Sequence, residues 1–354
     1  MSRRTLCLSL AFVVASIATV SFAPTLGAHQ QPSGPSASEQ RSSEVSQAAQ
    51  APPRVPLRRG LGFQTGIDVV SLAVTVTDPA HKIVGNLQRN DFAVYEDGVV
   101  QDLAYFETGD VPLDLALLID TSASMEGKLG FVRKAASGFT STLRPGDRAS
   151  VISFNNRVNV LQGFTEDIPS INRAIGRINA NGGTALYNAI YITLKEYARD
   201  VRKDDVVRRR AVVLLTDGED TASLMNFDEL LNEAKREAIT VYTIGLRGDT
   251  IAPQAREKHQ FSRTDFLLKA LATETGALAF FPGREGELAV AYQSIGKELA
   301  EQYALGYVSK NPVRNGAYRR VSVQIVNRPD CRPRTRSGYL ADALRMATVG
   351  TPEN

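Results

Sequence analysis

Five oxygen-bearing side chains carry the chemistry that this sequence offers: Asp120, Ser122, Ser124, Thr184 and Asp217. The first three sit in "DLALLIDTSASMEGK", where an apolar run ends in one carboxylate and two hydroxyls spaced two apart. Thr184 follows a glycine pair in "NGGTAL", and Asp217 follows the apolar run "AVVLL" in "TDGED". No histidine or cysteine lies near any of them; His29, His81 and His259 are scattered and form no triad or metal motif. Oxygen-only donors suit a hard divalent cation, Mg²⁺ first, with Mn²⁺ or Ca²⁺ as alternatives. Such an ion wants about six oxygens. Two carboxylates and three hydroxyls under-fill and under-neutralise it, whether the aspartates bind directly or through water. The open position favours a carboxylate supplied from outside, an Asp or Glu of a protein partner.

Turnover would need a general base or nucleophile beside the ion. The only carboxylates near these stretches are Glu126, Glu219 and Asp220, and the last two read as solvated turn residues. The expectation is therefore a binding module and no enzyme, with a metal-assisted hydrolase or a metal-independent envelope scaffold as the alternatives. Simpler roles exist for each piece: Asp120 and the serines as caps of the following helix, Thr184 as an N-cap. One such coincidence is common; three converging ones are not.

The elements that must position these residues alternate from residue 111 to 300. "LDLALLI", "RASVISF", "RAVVLLTD", "ITVYTIGL" and "ALAFFP" read as strands, and "LDLALLI" is apolar enough to be buried on both faces. Between them, "KLGFVRKAASGFTSTL", "TEDIPSINRAIGRI" with Thr165 as N-cap, "TALYNAIYITLKEYARD", "NFDELLNEAKREA" capped near Asn226, "TDFLLKALATETG" and "REGELAVAYQSIGKELAEQY" read as helices. The pattern predicts an α/β fold with a doubly wound, mostly parallel sheet. All three motifs fall at carboxyl ends of strands, where open sheets of this kind bind ligands. The segment 247–262 reads as an insertion, and its Arg247-Gly248-Asp249 as a chance tripeptide.

Antiparallel signals flank this region. In 63–110, "IDVVSLAVTVTD" alternates apolar and polar residues, and "DFAVYEDGVVQDLAYFE" carries an Asp97-Gly98 hairpin cue. In 301–342, "YALGYVS", "YRRVSVQIVN" and "TRSGYLA" read as strands. Each set is too small to be stable alone. The two are expected to pair into one β-sandwich with the α/β domain inserted between them.

Residues 1–28 read as a cleaved signal peptide: Arg3 and Arg4, then the apolar "LCLSLAFVVASIATVSFA", then small residues to Ala28. An uncleaved anchor is the lesser reading of that run. The chain is expected to be exported, periplasmic or secreted, with no stable membrane insertion after cleavage. Segment 29–62 is a Pro/Ser/Gln-rich tether, and 343–354 a loose tail. Loss of Cys7 with the signal leaves Cys331, read as a free thiol. A net charge of +3 over 354 residues gives no reason to expect nucleic acid. The basic runs "RRRAV" and "CRPRTR" read as solvated faces or sheet edges.

The five positions, as D-x-S-x-S, then Thr, then Asp, match the metal-ion-dependent adhesion site of von Willebrand factor type A (VWFA) domains. "DTSASM", "GGTALYNAI" and "LLTDGEDT" fit in order on the expected elements, over roughly residues 112–300. The wider chain resembles a bacterial exported group of VWFA-related domain proteins in "VTVTD", "DFAVYEDG", "VQDLAYF", "YALGY" and "SGYLA". The resemblance implies a Rossmann-like fold at 111–300, with Ser122, Ser124 and Thr184 near the metal and the aspartates partly acting through water. It also implies adhesion-type protein binding.

Overall fold

The computed structural model describes residues 69–109, 111–199, 208–247 and 262–341. The expected signal peptide, tether and tail, and the loop from 248 to 261, lie outside the described residues.

The chain starts in antiparallel structure with β1 (Val69–Thr77), β2 (Phe92–Glu96), β3 (Val99–Gln101) and β4 (Leu103–Thr108). It then enters the α/β region: β5 (Leu113–Asp120), α1 (Leu129–Thr140), β6 (Arg148–Phe154), β7 (Val158–Thr165), α2 (Ile168–Gly176), α3 (Leu186–Arg199) and β8 (Arg209–Thr216). This region continues through α4 (Phe227–Glu237), β9 (Thr240–Gly245), α5 (Arg263–Glu274), β10 (Ala279–Phe280) and α6 (Glu285–Glu301). The chain returns to strands in β11 (Tyr303–Val308), β12 (Tyr318–Ile325), β13 (Arg332–Arg334) and β14 (Gly338–Leu340).

The central sheet has the order β10-β9-β8-β5-β6-β7 and is parallel except for β7, which pairs antiparallel with β6. Every residue of β5 is buried, as its unbroken apolar run requires at the middle of a covered sheet. Its side chains alternate between two cores. Leu115, Leu117 and Ile119 join α1, α2 and α6 on one face, while Ala116 and Leu118 join α3, α4 and α5 on the other. Helix α1 supplies Leu129, Val132, Ala136 and Phe139, the spacing of one buried stripe. Strand order reverses between β5 and β8, so the switch point lies between the ends of those two strands.

The two flanks do pair. One sheet is β13-β1-β11-β4 and the other β14-β12-β2-β3. In the first, Val70 faces Tyr307 and Leu72 faces Leu305; in the second, Val323 faces Val94. Their inner faces share a core of Val74, Val94, Tyr303, Leu305, Val321 and Cys331, the last a buried free thiol. Strand β12 alternates exposed and buried over its whole length, the period-2 pattern of a strand with one wet face. Glu96 is the polar centre of this core. It accepts hydrogen bonds from Tyr307 and Tyr339 hydroxyls at 2.8 Å each, from Ser309 at 2.6 Å and from Arg319 at 3.0 Å.

Where sandwich meets α/β domain, arginines and one glutamate hold the crossing segments. Arg144 donates to the carbonyl of Gly109 (2.8 Å), between β4 and β5, and to that of Ala300 (3.2 Å), in the last turn of α6. Arg209 likewise donates to the carbonyls of Val111 and Leu299. Glu298 of α6 accepts from Tyr242 of β9 at 2.6 Å and from Thr75 of β1 at 3.2 Å, and pairs with Arg334 of β13 at 2.6 Å. Gly276 after α5 has φ +84°, and a Cβ there would stand 2.6 Å from the Arg336 nitrogen, so only glycine admits that approach.

Three sequence expectations need correction. Thr165 ends β7 rather than capping α2; Asp167 is the N-cap, and Pro169 in the first turn fixes the helix start. Strand β7 itself escaped the pattern because it is a bulged edge strand with Gly163 inside and no clean alternation. The run Arg208-Arg209-Arg210 is not one solvated face. Arg208 pairs with Asp114 at 2.6 Å and Arg209 is buried at the joint, leaving only Arg210 exposed.

Candidate functional site

Asp120 is the last residue of β5 and is fully buried. Its Oδ1 accepts from the Ser122 backbone N–H at 2.8 Å, and its Oδ2 from the Thr216 hydroxyl at 2.6 Å. Thr216 is the last residue of β8, so this bond ties together the two strands that flank the switch point. Burial pushes the Asp120 carboxyl above its usual value; the bonds from Thr216 and Ser122 offset part of this, and the nearby Asp217 charge adds to it. No ion pair reaches Asp120 among the described residues. A buried carboxylate in that position is one that a cation would relieve.

The Ser122 and Ser124 hydroxyls lie 3.1 Å apart, and Ser124 donates to Asp217 Oδ1 at 2.8 Å. The other Asp217 oxygen pairs with the Lys128 ammonium. Thr184 comes in from the second loop. A Cβ built on Gly218 would lie 3.7 Å from the Thr184 hydroxyl, which places that hydroxyl beside the residue following Asp217. Backbone bonds fix the loop: Ala123 N–H donates to the Gly182 carbonyl at 3.0 Å and Asn181 N–H to the Thr121 carbonyl at 2.8 Å. Gly182 has φ +72° and a Cβ there would strike Asn156 at 2.8 Å, which explains the glycine. All five candidate residues thus gather at the carboxyl ends of the central strands, on three separate segments.

Thr184 does not cap α3. Instead, the third loop caps it: Asp220 accepts from Tyr187 N–H at 3.3 Å and Ser223 from Asn188 N–H at 3.0 Å. Thr221 accepts from Thr184 N–H at 3.0 Å. The Thr184 hydroxyl itself has no hydrogen-bond partner among the described residues. Asp220 is therefore occupied, accepting also from the Ser223 hydroxyl at 2.6 Å, while Glu219 is exposed.

The donor set fits a hard divalent cation: two carboxylates and three hydroxyls, with Ser122, Ser124 and Thr184 the groups to hold it and Asp120 and Asp217 to balance its charge. Among the described residues no group of three or more His, Cys, Asp or Glu side chains is assembled, so any ion here depends on the hydroxyls. Sequence reasoning passed over Thr216 and Lys128. Thr216 precedes Asp217 directly, at the strand end, and Lys128 closes the short 3-10 turn Ala123–Lys128 that begins in the Ser-x-Ser loop. Their closeness in sequence to the motifs was the available signal.

Residues 114–281 match the family model of the von Willebrand factor type A domain. That segment, with its six-stranded sheet and covering helices, has the VWA fold. The uncharacterized protein sll0103 of Synechocystis sp. is 34% identical over 142 residues, covering 38% of this chain. The match takes in 32% of that protein, so the chain spans about a third of the length of the curated relative it matches. Among solved structures, a von Willebrand factor type A protein from Catenulispora acidiphila is similar at 13% identity and a TM-score of 0.46, covering 75% of this chain and 71% of that one. The vWF domain of the type V pili tip protein Mfa5 from Porphyromonas gingivalis is similar at 16% identity and a TM-score of 0.42, covering 53% of this chain and 94% of that one.

Proposed function

We propose that the VWA domain grips a protein partner through a divalent cation, Mg²⁺ first, which Asp120, Ser122, Ser124, Thr184 and Asp217 hold and a partner Asp or Glu completes. One observation carries this reading: oxygen donors from three loops meet at the switch point around a buried aspartate that has no basic partner among the described residues. The free Thr184 hydroxyl supports it, since the capping role that would otherwise explain this residue belongs to Asp220 and Ser223.

The reading assigns no catalytic step. Asp220 is engaged in capping and Glu219 points to solvent, so neither stands as a base beside the ion. It also places the protein outside the cytoplasm, on the strength of the N-terminal sequence. No helix among the described residues is long and apolar enough to cross a membrane.

Isothermal titration with Mg²⁺ and Mn²⁺ tests the metal. Binding by the wild type and its loss in Asp120→Ala is expected; heat-silent titrations with both ions would end the proposal. Partner capture from the native envelope or medium, in Mg²⁺ against EDTA, tests the bridge. A partner retained equally in EDTA and by Asp120→Ala would show that the grip does not run through an ion. Metal-dependent turnover of esters or phosphoesters, lost in Asp217→Ala, would replace the binding reading with an enzyme.

A further inference from the structure

Among the described residues, the one ion pair at the site joins Lys128 to Asp217. It is lopsided. The Asp217 side chain is 1% exposed and fixed by Ser124, whereas the Lys128 side chain is 24% exposed and sits at the end of a 3-10 turn, on a long flexible stem. From these facts we infer that Lys128 is a built-in, displaceable counter-ion: its ammonium and a divalent cation are alternative partners for Asp217, and the ion enters by pushing the lysine out to solvent. This rests on the metal reading above and concerns the regulation of that same site.

The physical reason is charge crowding. Asp217 and Asp120 are near enough to repel, and Lys128 neutralises one of them. Without any cation the two carboxylates would repel each other uncompensated, and Asp120 is fully buried. A dication on Asp217 would meet the ammonium at contact range, and like charges there cost far more than the pair itself contributes. Lys128 is tethered a few residues after Ser124, so its effective concentration at Asp217 is high. Even so, it is the more exposed member of the pair, and its flexible stem lets the ammonium turn out to solvent. The lysine thus holds the loops together when divalent ions are scarce and lowers the affinity for the ion. The site would then load only above a threshold concentration set by the protein itself.

The test is isothermal titration of Mg²⁺ and Mn²⁺ into the full chain, as wild type, Lys128→Met, Lys128→Gln and Lys134→Met, at about 0.15 M salt to screen distant charges. Lys134 lies on the exposed face of α1 and controls for net charge. Lys128→Gln keeps a donor for Asp217 should the methionine variant fold poorly. Both Lys128 variants should bind about tenfold more tightly, equivalent to ~1.4 kcal/mol, and Lys134→Met should match the wild type. In thermal unfolding, the Lys128 variants should be less stable than wild type in EDTA and gain more from saturating Mg²⁺. Equal dissociation constants for wild type and both Lys128 variants would overturn the inference and leave the metal reading intact. Equal tightening by Lys134→Met would overturn it too, since net charge would then explain the gain. Binding by none of the four proteins would remove the metal reading and this inference together, whereas binding by the Lys128 variants alone would support both.

Discussion

Ser124 and Asp217 are 93 residues apart in sequence, and the Ser124 hydroxyl donates to Asp217 Oδ1 at 2.8 Å. That contact fastens the loop after β5 to the loop after β8, across the point where strand order reverses. It does two jobs: it orients Asp217, and it presents the serine oxygen lone pairs away from the carboxylate. Ser124→Ala removes both. On the cation reading its Mn²⁺ affinity should fall by about tenfold or more, measured by titration calorimetry, with a melting temperature close to wild type.

Thr216 acts on the neighbouring aspartate. Its hydroxyl is the only side-chain donor to the fully buried Asp120 Oδ2 among the described residues. Thr216→Val keeps the shape and removes the bond. The expected cost is about 1–3 kcal/mol of stability, read by urea unfolding. An unchanged midpoint would mean that another donor takes the place of Thr216.

Asp114 is the second residue of β5, at the opposite end from the site. It receives Arg148 at 2.6 and 2.8 Å and Arg208 at 2.6 Å, and all three side chains are nearly buried. Asp114→Ala would strand two guanidinium groups in a poorly solvated pocket. A loss of about 3–5 kcal/mol is expected, while cation affinity at the far end of the strand should be untouched. A variant as stable as wild type would show that solvent reaches these arginines.

The sandwich core should make the protein acid-sensitive through Glu96. Burial alone would raise its carboxyl, but the bonds from Ser309, Tyr307 and Tyr339 and the Arg319 charge outweigh it and hold the group below its ordinary value of 4.5. A carboxyl lowered in the folded state contributes stability that is whole above 4.5 and drains away as the pH falls through the lower folded value. Glu96→Gln should be less stable than wild type at neutral pH, and the gap should narrow below pH 4.5. A gap of constant size from pH 7 to pH 3 would contradict the linkage.

Most of the site was legible because its chemistry is local in sequence. Asp120, Ser122 and Ser124 share one loop, and each of the other two members follows an unmistakable marker, a glycine pair or an apolar strand. The strands β5 and β8 were legible for the same reason: burial on both faces demands unbroken apolar runs. What escaped depends on contacts between distant segments. Arg209 looks like a surface residue until the carbonyls of Val111 and Leu299 are seen to converge on it. Strand β7 has half-exposed, irregular positions because it lies at an edge, where nothing enforces alternation. The capping of α3 by Asp220 and Ser223 could not be read locally, since donors and acceptors come from opposite ends of a strand-helix unit.

The pairing of β1 with β11 sets the order in which the molecule can be assembled. A chain made from its N-terminus displays β1 with both edges unsatisfied until Tyr303 and the residues after it exist. Closing so large a loop from an unstructured chain would be slow. The α/β domain shortens the search, because its folding brings Gly109 and Ala300 onto the same arginine and so delivers the two sandwich halves side by side. The insert is thus the jig on which its own flanks are joined. A chain truncated shortly after α6 would leave a finished jig carrying a row of sticky, unmated strands.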